Sequence, residues 1–400
     1  MSRRSKFQSL ISGSADWPPL IDVGTNSLTG FRRGEGSPYN SLPLSNTTLN
    51  VAALTERETA PFASDFARIG FLFDPPELDD DDTFTDAFGV RHLFADGMAS
   101  PLEHPLEAAS SASQLAGHKR PNWRLSIAAP TNPDLIAIAE TPCPGLLDQA
   151  LAMRGSWKLL DDLTENWRNA SALFDWALEN IVASYEALLE ASPVCPDVII
   201  YADDIGFKDS MFLSEADFRR FMKPRLATLF SRLRKLCDAP ILFHSCGAIA
   251  PVLGDIVDLG IDILNVDTFA RGMDIGEVRR RIPANLPLHG ITALDFLGAA
   301  VRKNETDAAR FYASHFMQAW PAILAPADSL PPSTDPVDIA AALYVIRSLD
   351  PDRVARGGDA AFERTLESAN RLVDESTVAE RNRQTTDDRL RSERIPGVSS

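Results

Sequence analysis

The run Ile241-Leu-Phe-His244-Ser-Cys246-Gly247 carries an imidazole and a thiol two residues apart at the end of a short apolar stretch. Side chains alternate faces along a strand, so residues i and i+2 emerge on one face, where a nitrogen and a thiolate can converge on one metal ion. A buried histidine beside an inert thiol satisfies the same spacing. Three more strand-like runs end in groups of this kind. Val198-Ile-Ile-Tyr-Ala202 leads into Asp203-Asp204, Asp262-Ile-Leu-Asn-Val266 into Asp267, and Leu286-Pro-Leu288 into His289. Carboxylates, imidazoles and a thiol gathered at one mouth form the kind of cluster in which metals and shifted pKa values occur. Each also has a plain structural reading: Asp203 or Asp204 capping the following loop, Asp267 making a turn, His289 hydrogen-bonded in the core.

The elements that would position these residues recur along the chain. From residue 130, strand-length apolar runs at 134–139, 197–201, 241–243, 262–266, 286–288 and 323–325 alternate with helical stretches, and 17–23 and 69–73 read as two earlier strands. The longest helix places Ala170, Leu173, Phe174, Ala177, Leu178, Ile181 and Leu188 on one face. Another starts at Ser214 with Asp217 three residues on, and Pro224 should kink it. A further start lies at Asp335-Pro336. Repeated strand–helix units imply parallel strands, and no glycine-rich phosphate loop follows any of them. The expected fold is α/β, a single (β/α)8 TIM-type barrel with the strand-end residues lining its C-terminal mouth. Residues 1–125 read as an irregular segment that contributes the first strands and a lid, with 99–122 a surface excursion. Residues 126–350 form the main part of the barrel, and 351–400 a helical extension followed by a mobile polar tail.

Composition sets outer bounds. With 56 acidic against 39 basic residues and a net charge of −17, the chain has no cationic excess for a nucleic-acid backbone. The four scattered cysteines make no disulfide framework, which points to a reducing, cytoplasmic setting. No apolar run reaches the roughly 18 residues of a membrane span. Ser2-Arg-Arg-Ser-Lys6 lacks the apolar core of a signal peptide and is expected to begin an ordinary helix.

Taken in order, Tyr201-Ala-Asp-Asp204-Ile-Gly206, then Leu213-Ser214-Glu-Ala-Asp-Phe218-Arg-Arg-Phe221-Met-Lys-Pro224, then His244-Ser-Cys246-Gly247, Gly260-Ile-Asp262 and Leu288-His-Gly290-Ile resemble the uroporphyrinogen decarboxylase superfamily. Weaker matches lie at Phe84-Thr-Asp-Ala-Phe-Gly89-Val and Met153-Arg-Gly155-Ser-Trp157. The superfamily includes zinc-dependent methyltransferases that act with corrinoid proteins. The resemblance, covering residues 130 to 350, implies a barrel with zinc on His244 and Cys246, a small-molecule substrate, and a corrinoid as methyl donor or on a partner protein. Zinc lowers the pKa of a bound thiol and supplies the thiolate that accepts a methyl group.

The chain departs from this pattern twice. The methyltransferases' third cysteine is missing from 324–336, which leaves Asp328, His289 or Cys143 as the third ligand. The decarboxylases' arginine-rich motif is missing after Trp17-Pro-Pro-Leu-Ile-Asp-Val23, and Arg32-Arg33 lies farther on in a glycine-rich stretch. The expected function is therefore zinc-dependent methyl transfer between a corrinoid and a thiol or related acceptor. Asp204 would position substrate or transfer a proton, with Asp267 as a second catalytic carboxylate. The alternatives are decarboxylation of a tetrapyrrole or small acid, and a non-catalytic barrel kept as a binding module.

Overall fold

The computed structural model describes residues 1–46, 50–95, 98–349, 362–369 and 371, which form two compact units. The first comprises Met1–Thr292 and His315–Thr334. In it the strands Phe66–Phe71, Ile136–Ala139, Val198–Ala202, Ile241–Ser245, Ile263–Val266, Leu288–Thr292 and Ala322–Pro326 pair in parallel, each with the next. Residues 20–22 close the ring. Ile21 pairs in parallel with Leu324, and the Asp22 amide donates to the Leu324 carbonyl at 2.9 Å. On the other side the Asp65 amide donates to the Ile21 carbonyl at 2.7 Å. Eight parallel segments in sequence order make the expected TIM-type barrel.

Alternation along the strands sends Leu20, Phe66, Ile136, Ile138, Val198, Ile200, Leu242, Ile263 and Ile323 into one apolar cluster. Phe7 and Leu10 of the helix Arg3–Ile11 join that cluster. Arg3 pairs with Asp65 at 2.7 Å and Arg4 with Asp197 at 3.1 Å. Both acids precede strands, so this helix covers the N-terminal end of the barrel. Two residues beyond the apolar layer the same inward positions become polar and remain buried: Asp22, Arg68, Glu140, His244 and Asn265. The fold therefore builds a greasy floor and a polar layer above it from one period-two pattern.

The helix Trp167–Ala191 buries the face predicted from its periodicity and is tied to Lys223–Leu236 by Arg225–Asp175 at 2.8 Å and Arg232–Glu179 at 2.6 Å. Ser214 caps its helix as expected, its Oγ accepting from the Asp217 amide at 3.1 Å. Pro224 is accommodated differently. A π-helical turn over Phe218–Met222 precedes it, and the α-helix restarts at Lys223 with the proline in its first turn, where a missing N–H costs no bond.

The N-terminal segment is more ordered than its sequence suggests. Thr83–Thr85, Arg91–Ala95 and Met98–Glu103 form a three-stranded antiparallel sheet. Met98–Glu103 is mostly exposed and contains Pro101, so it has no apolar alternation by which to recognise a strand. The excursion that follows is anchored by Arg154. Its buried guanidinium pairs with Asp162 at 2.8 Å and donates to the carbonyls of Glu107 at 3.0 Å and Ala109 at 2.7 Å.

The second unit comprises Ala293–Ser314 and the chain from Asp335 on. Its helices Leu294–Arg302 and Pro336–Ser348 are linked by Arg302, 2.7 Å from Asp338 and 3.2 Å from Asp335. Residues 362–369 are helical, while the tail expected beyond 371 lies outside the described residues. Among the described residues no helix is long and apolar enough to cross a membrane.

Candidate metal centre

A cavity of about 300 Å³ opens at the C-terminal ends of the strands, lined by His244, Cys246, Asp204, Asp148, Cys143 and Asp328 among others. His244 and Cys246 follow the inward position of Leu242 at intervals of two, as the period of a strand requires. The Cys246 Sγ lies 3.4 Å from His244 Nε2. Asp204, two residues past the end of the neighbouring strand, reaches across. Its Oδ1 is 3.4 Å from His244 Nε2 and accepts from the Cys246 amide at 2.9 Å. One nitrogen, one sulfur and one carboxylate oxygen thus lie within 4.8 Å of one another.

Backbone geometry holds this arrangement. Gly247 has φ +84°, and a Cβ there would stand 2.2 Å from the Gly206 carbonyl oxygen. Only glycine lets the turn after Cys246 pack against the loop that carries Asp204. On the far side of His244 the Nδ1 lies 2.8 Å from Asn265 Oδ1, which leaves Nε2 as the atom turned towards the cavity.

The two aspartates of the 203–204 pair divide their work. Asp203 is buried and accepts from the Tyr201 hydroxyl at 2.7 Å and from the amides of Leu147 and Asp148 at 3.1 Å. It caps the helix Leu146–Arg154, whose own N-cap residue is glycine. Burial raises its carboxyl to about 6 against these hydrogen bonds. Asp204 is the member facing the cavity. Burial alone would raise it, but the His244 imidazole and the Cys246 amide outweigh that and hold it below the usual carboxylate range. Asp148, which accepts from the Asp204 amide at 3.0 Å, is pushed well up by burial and by the charges of Asp204 and Asp203.

His244 responds in the opposite sense. Burial would lower it, yet Cys246 and Asp204 raise it well above the ordinary imidazole value. Burial pushes the Cys246 thiol up, with the imidazole opposing. Asp204 and His244 therefore each favour the charged form of the other, while burial opposes charge on the Cys246 sulfur.

The other residues singled out from the sequence are distributed differently. Asp328 lines the cavity, with its side chain 63% exposed and paired to Arg32 at 3.3 Å. Cys143 also lines it, its thiol pushed up by burial and its Sγ accepting from Asn180 Nδ2 at 3.3 Å. Asp267 and His289, expected in the same mouth, do not line this cavity. Asp267 accepts from the Phe269 amide at 2.8 Å in a turn, and His289 is fully buried between Asn265 and Asp22. Asp267 lies two residues beyond Asn265 on the next strand, where the backbone has already begun to turn away.

Several site residues escape sequence reasoning. Asn265 and Asp22 were readable in principle, since each follows an apolar inward residue, Ile263 and Leu20, by two. Asp148 carries no such signal because a helix start brings it in. Arg32 reaches the cavity from the glycine-rich stretch, held by Ser329 Oγ at 2.8 Å as well as by Asp328.

Nitrogen, thiol and carboxylate are a donor set that zinc accepts in tetrahedral geometry, and the fixed His244 ring presents the correct atom. Comparison with known proteins agrees with the architecture. A methyltransferase from Methanosarcina mazei superposes with a TM-score of 0.58 at 17% identity, over 87% of this chain and 98% of that one, a likeness of fold. No curated protein matches the sequence. Residues 138–349 match the family model described as uroporphyrinogen decarboxylase (URO-D), a span that holds Asp204, His244, Cys246, Asn265 and His289. With its barrel closed and its polar residues at the strand ends, the chain belongs to the uroporphyrinogen decarboxylase family.

Proposed function

We propose that the protein is a zinc-dependent methyltransferase that moves a methyl group from a corrinoid to a thiol or related small acceptor. The observation that carries the reading is the convergence of Asp204, His244 and Cys246 within 4.8 Å of one another in the lining of the cavity. Asp204 takes the place of the third ligand that the sequence left to Asp328, His289 or Cys143. Zinc bound there would lower the pKa of an acceptor thiol and hold it as a thiolate at neutral pH. His244 offers Nε2, with Nδ1 engaged by Asn265. Asp204 offers a carboxylate held low and steadied by the Cys246 amide. Burial and the charges of Asp204 and Asp203 push Asp148 well up, which disfavours a second negative charge beside the site.

The alternative, decarboxylation of a tetrapyrrole, is less well supported. Among the described residues lining the cavity Arg32 is the sole lysine or arginine, and Ser329 and Asp328 already engage it. A substrate with many carboxylates needs several bidentate partners. A smaller acid would meet less of this difficulty.

Zinc analysis of the purified protein beside Cys246→Ser tests the reading. Serine is nearly isosteric, so a merely structural Cys246 should cost on the order of 1 kcal/mol in stability and leave metal content unchanged. The expected result is near-stoichiometric zinc in the wild type, almost none in the variant, and nearly equal melting temperatures once zinc has been stripped from both. Equal zinc in both would remove Cys246 from the ligand set.

A further inference from the structure

Behind His244 runs a buried chain of side chains that crosses the barrel interior to the first strand segment. We propose that Asp22, His289 and Asn265 act as positioning residues, holding a proton on the rear nitrogen of His244, Nδ1, and so turning Nε2 towards the cavity. Its metal-affinity consequence rests on the zinc reading above, whereas its proton arrangement does not.

The links follow from donor and acceptor chemistry. Asp22 accepts from the Thr25 hydroxyl on Oδ1 and from Asn26 Nδ2 on Oδ2 at 2.8 Å, and Oδ2 also lies 2.9 Å from His289 Nε2. A carboxylate only accepts, so His289 carries its proton on Nε2. His289 Nδ1 then stands bare, 2.7 Å from Asn265 Nδ2, and an amide nitrogen only donates. The Asn265 amide is thereby oriented with Oδ1 towards His244 Nδ1, 2.8 Å away, where it can only accept. His244 is left with Nδ1–H behind it and Nε2 in front, 3.4 Å from both Cys246 Sγ and Asp204 Oδ1.

Asp22 and His289 are 0% exposed and Asn265 1%, so no solvent competes for these bonds. The packing leaves the amide little freedom. A Cβ at Gly290, where φ is +76°, would stand 3.0 Å from Asn265 Nδ2 and 2.9 Å from the Pro326 carbonyl oxygen. Four polar groups this deep are costly unless each is satisfied in one consistent direction, and here the direction begins at Asp22. The reversed amide would need a proton on His289 Nδ1 and none on His244 Nδ1.

Long-range proton–nitrogen correlation spectra of the full chain labelled on its six histidines read this directly. The expected pattern is a protonated Nδ1 on His244, with Nε2–H and a bare Nδ1 on His289, whether or not zinc is added. A bare Nδ1 on His244, or a protonated Nδ1 on His289, overturns the proposal without any variant. The second arm measures zinc affinity by chelator competition. Asn265→Leu should weaken it about 10- to 100-fold. A folded Asn265→Leu protein with wild-type affinity also overturns it. If the wild type binds no zinc at all, the zinc reading fails and the spectra still decide the positioning chain.

Discussion

His244 and Cys246 depend on a residue that contributes no side chain. Gly247 lies in the left-handed region and against the Gly206 carbonyl, so Gly247→Ala must shift the 206–207 loop or the Cys246 backbone. Either movement disturbs the bond from the Cys246 amide to Asp204. We expect a loss of about 1–3 kcal/mol in stability, the cost of a forced backbone conformation, together with weaker zinc binding. Denaturant unfolding and chelator competition check the two parts. A variant as stable as the parent would mean that the turn relaxes freely. The chemistry at this scale comes from orientation more than from residue identity, since Asp203 and Asp204 are neighbours of one type and only the second faces the cavity.

At the scale of elements, the same desolvation acts where no chemistry is involved. In the second unit Asp338 is buried at the start of its helix, and burial raises it to about 6 from 3.8 in spite of Arg302 at 2.7 Å. Because the folded value is the higher one, its favourable contribution is fully present below pH 3.8 and is lost as pH rises through about 6. Subtracting the stability–pH curve of Asp338→Asn from that of the wild type should therefore leave a difference that falls across this window and is flat above it. Urea unfolding at a series of pH values measures it, and a difference that rises with pH would refute the assignment. The helix Lys223–Leu236 shows another element-level solution, in which a π-helical turn lets a proline enter without breaking the barrel's outer layer.

For the barrel unit as a whole, stability and the candidate site are built from different layers of one interior. Phe7 inserts from the N-terminal helix into the apolar layer and meets Phe66 edge-on at 5.9 Å, at the end opposite the cavity. Phe7→Ala should cost about 3–5 kcal/mol by opening a void there. Zinc content should be unchanged, because the polar layer and the strand ends lie beyond the void. Calorimetry and metal analysis on one sample separate the two, and loss of zinc from a still folded variant would show that the floor sets the site's geometry.

The sequence by itself determined the barrel, because strand-length apolar runs alternating with amphipathic helices admit few other packings. It also determined that His244 and Cys246 share a face, through the period of a strand. Which residues join them was a tertiary matter. Asp204 reaches His244 because two parallel strands lie side by side in register, whereas Asp267, with the same apparent position at a strand end, spends its carboxylate on its own turn. His289 was legible as a strand-end histidine, but its depth and its partners Asn265 and Asp22 appear only when the first strand segment closes the ring. Met98–Glu103 in the N-terminal segment was illegible because an exposed strand carries no apolar alternation. Local periodicity reports what one element buries, and a site shared by strands far apart in sequence depends on closure and register, which only the folded chain supplies.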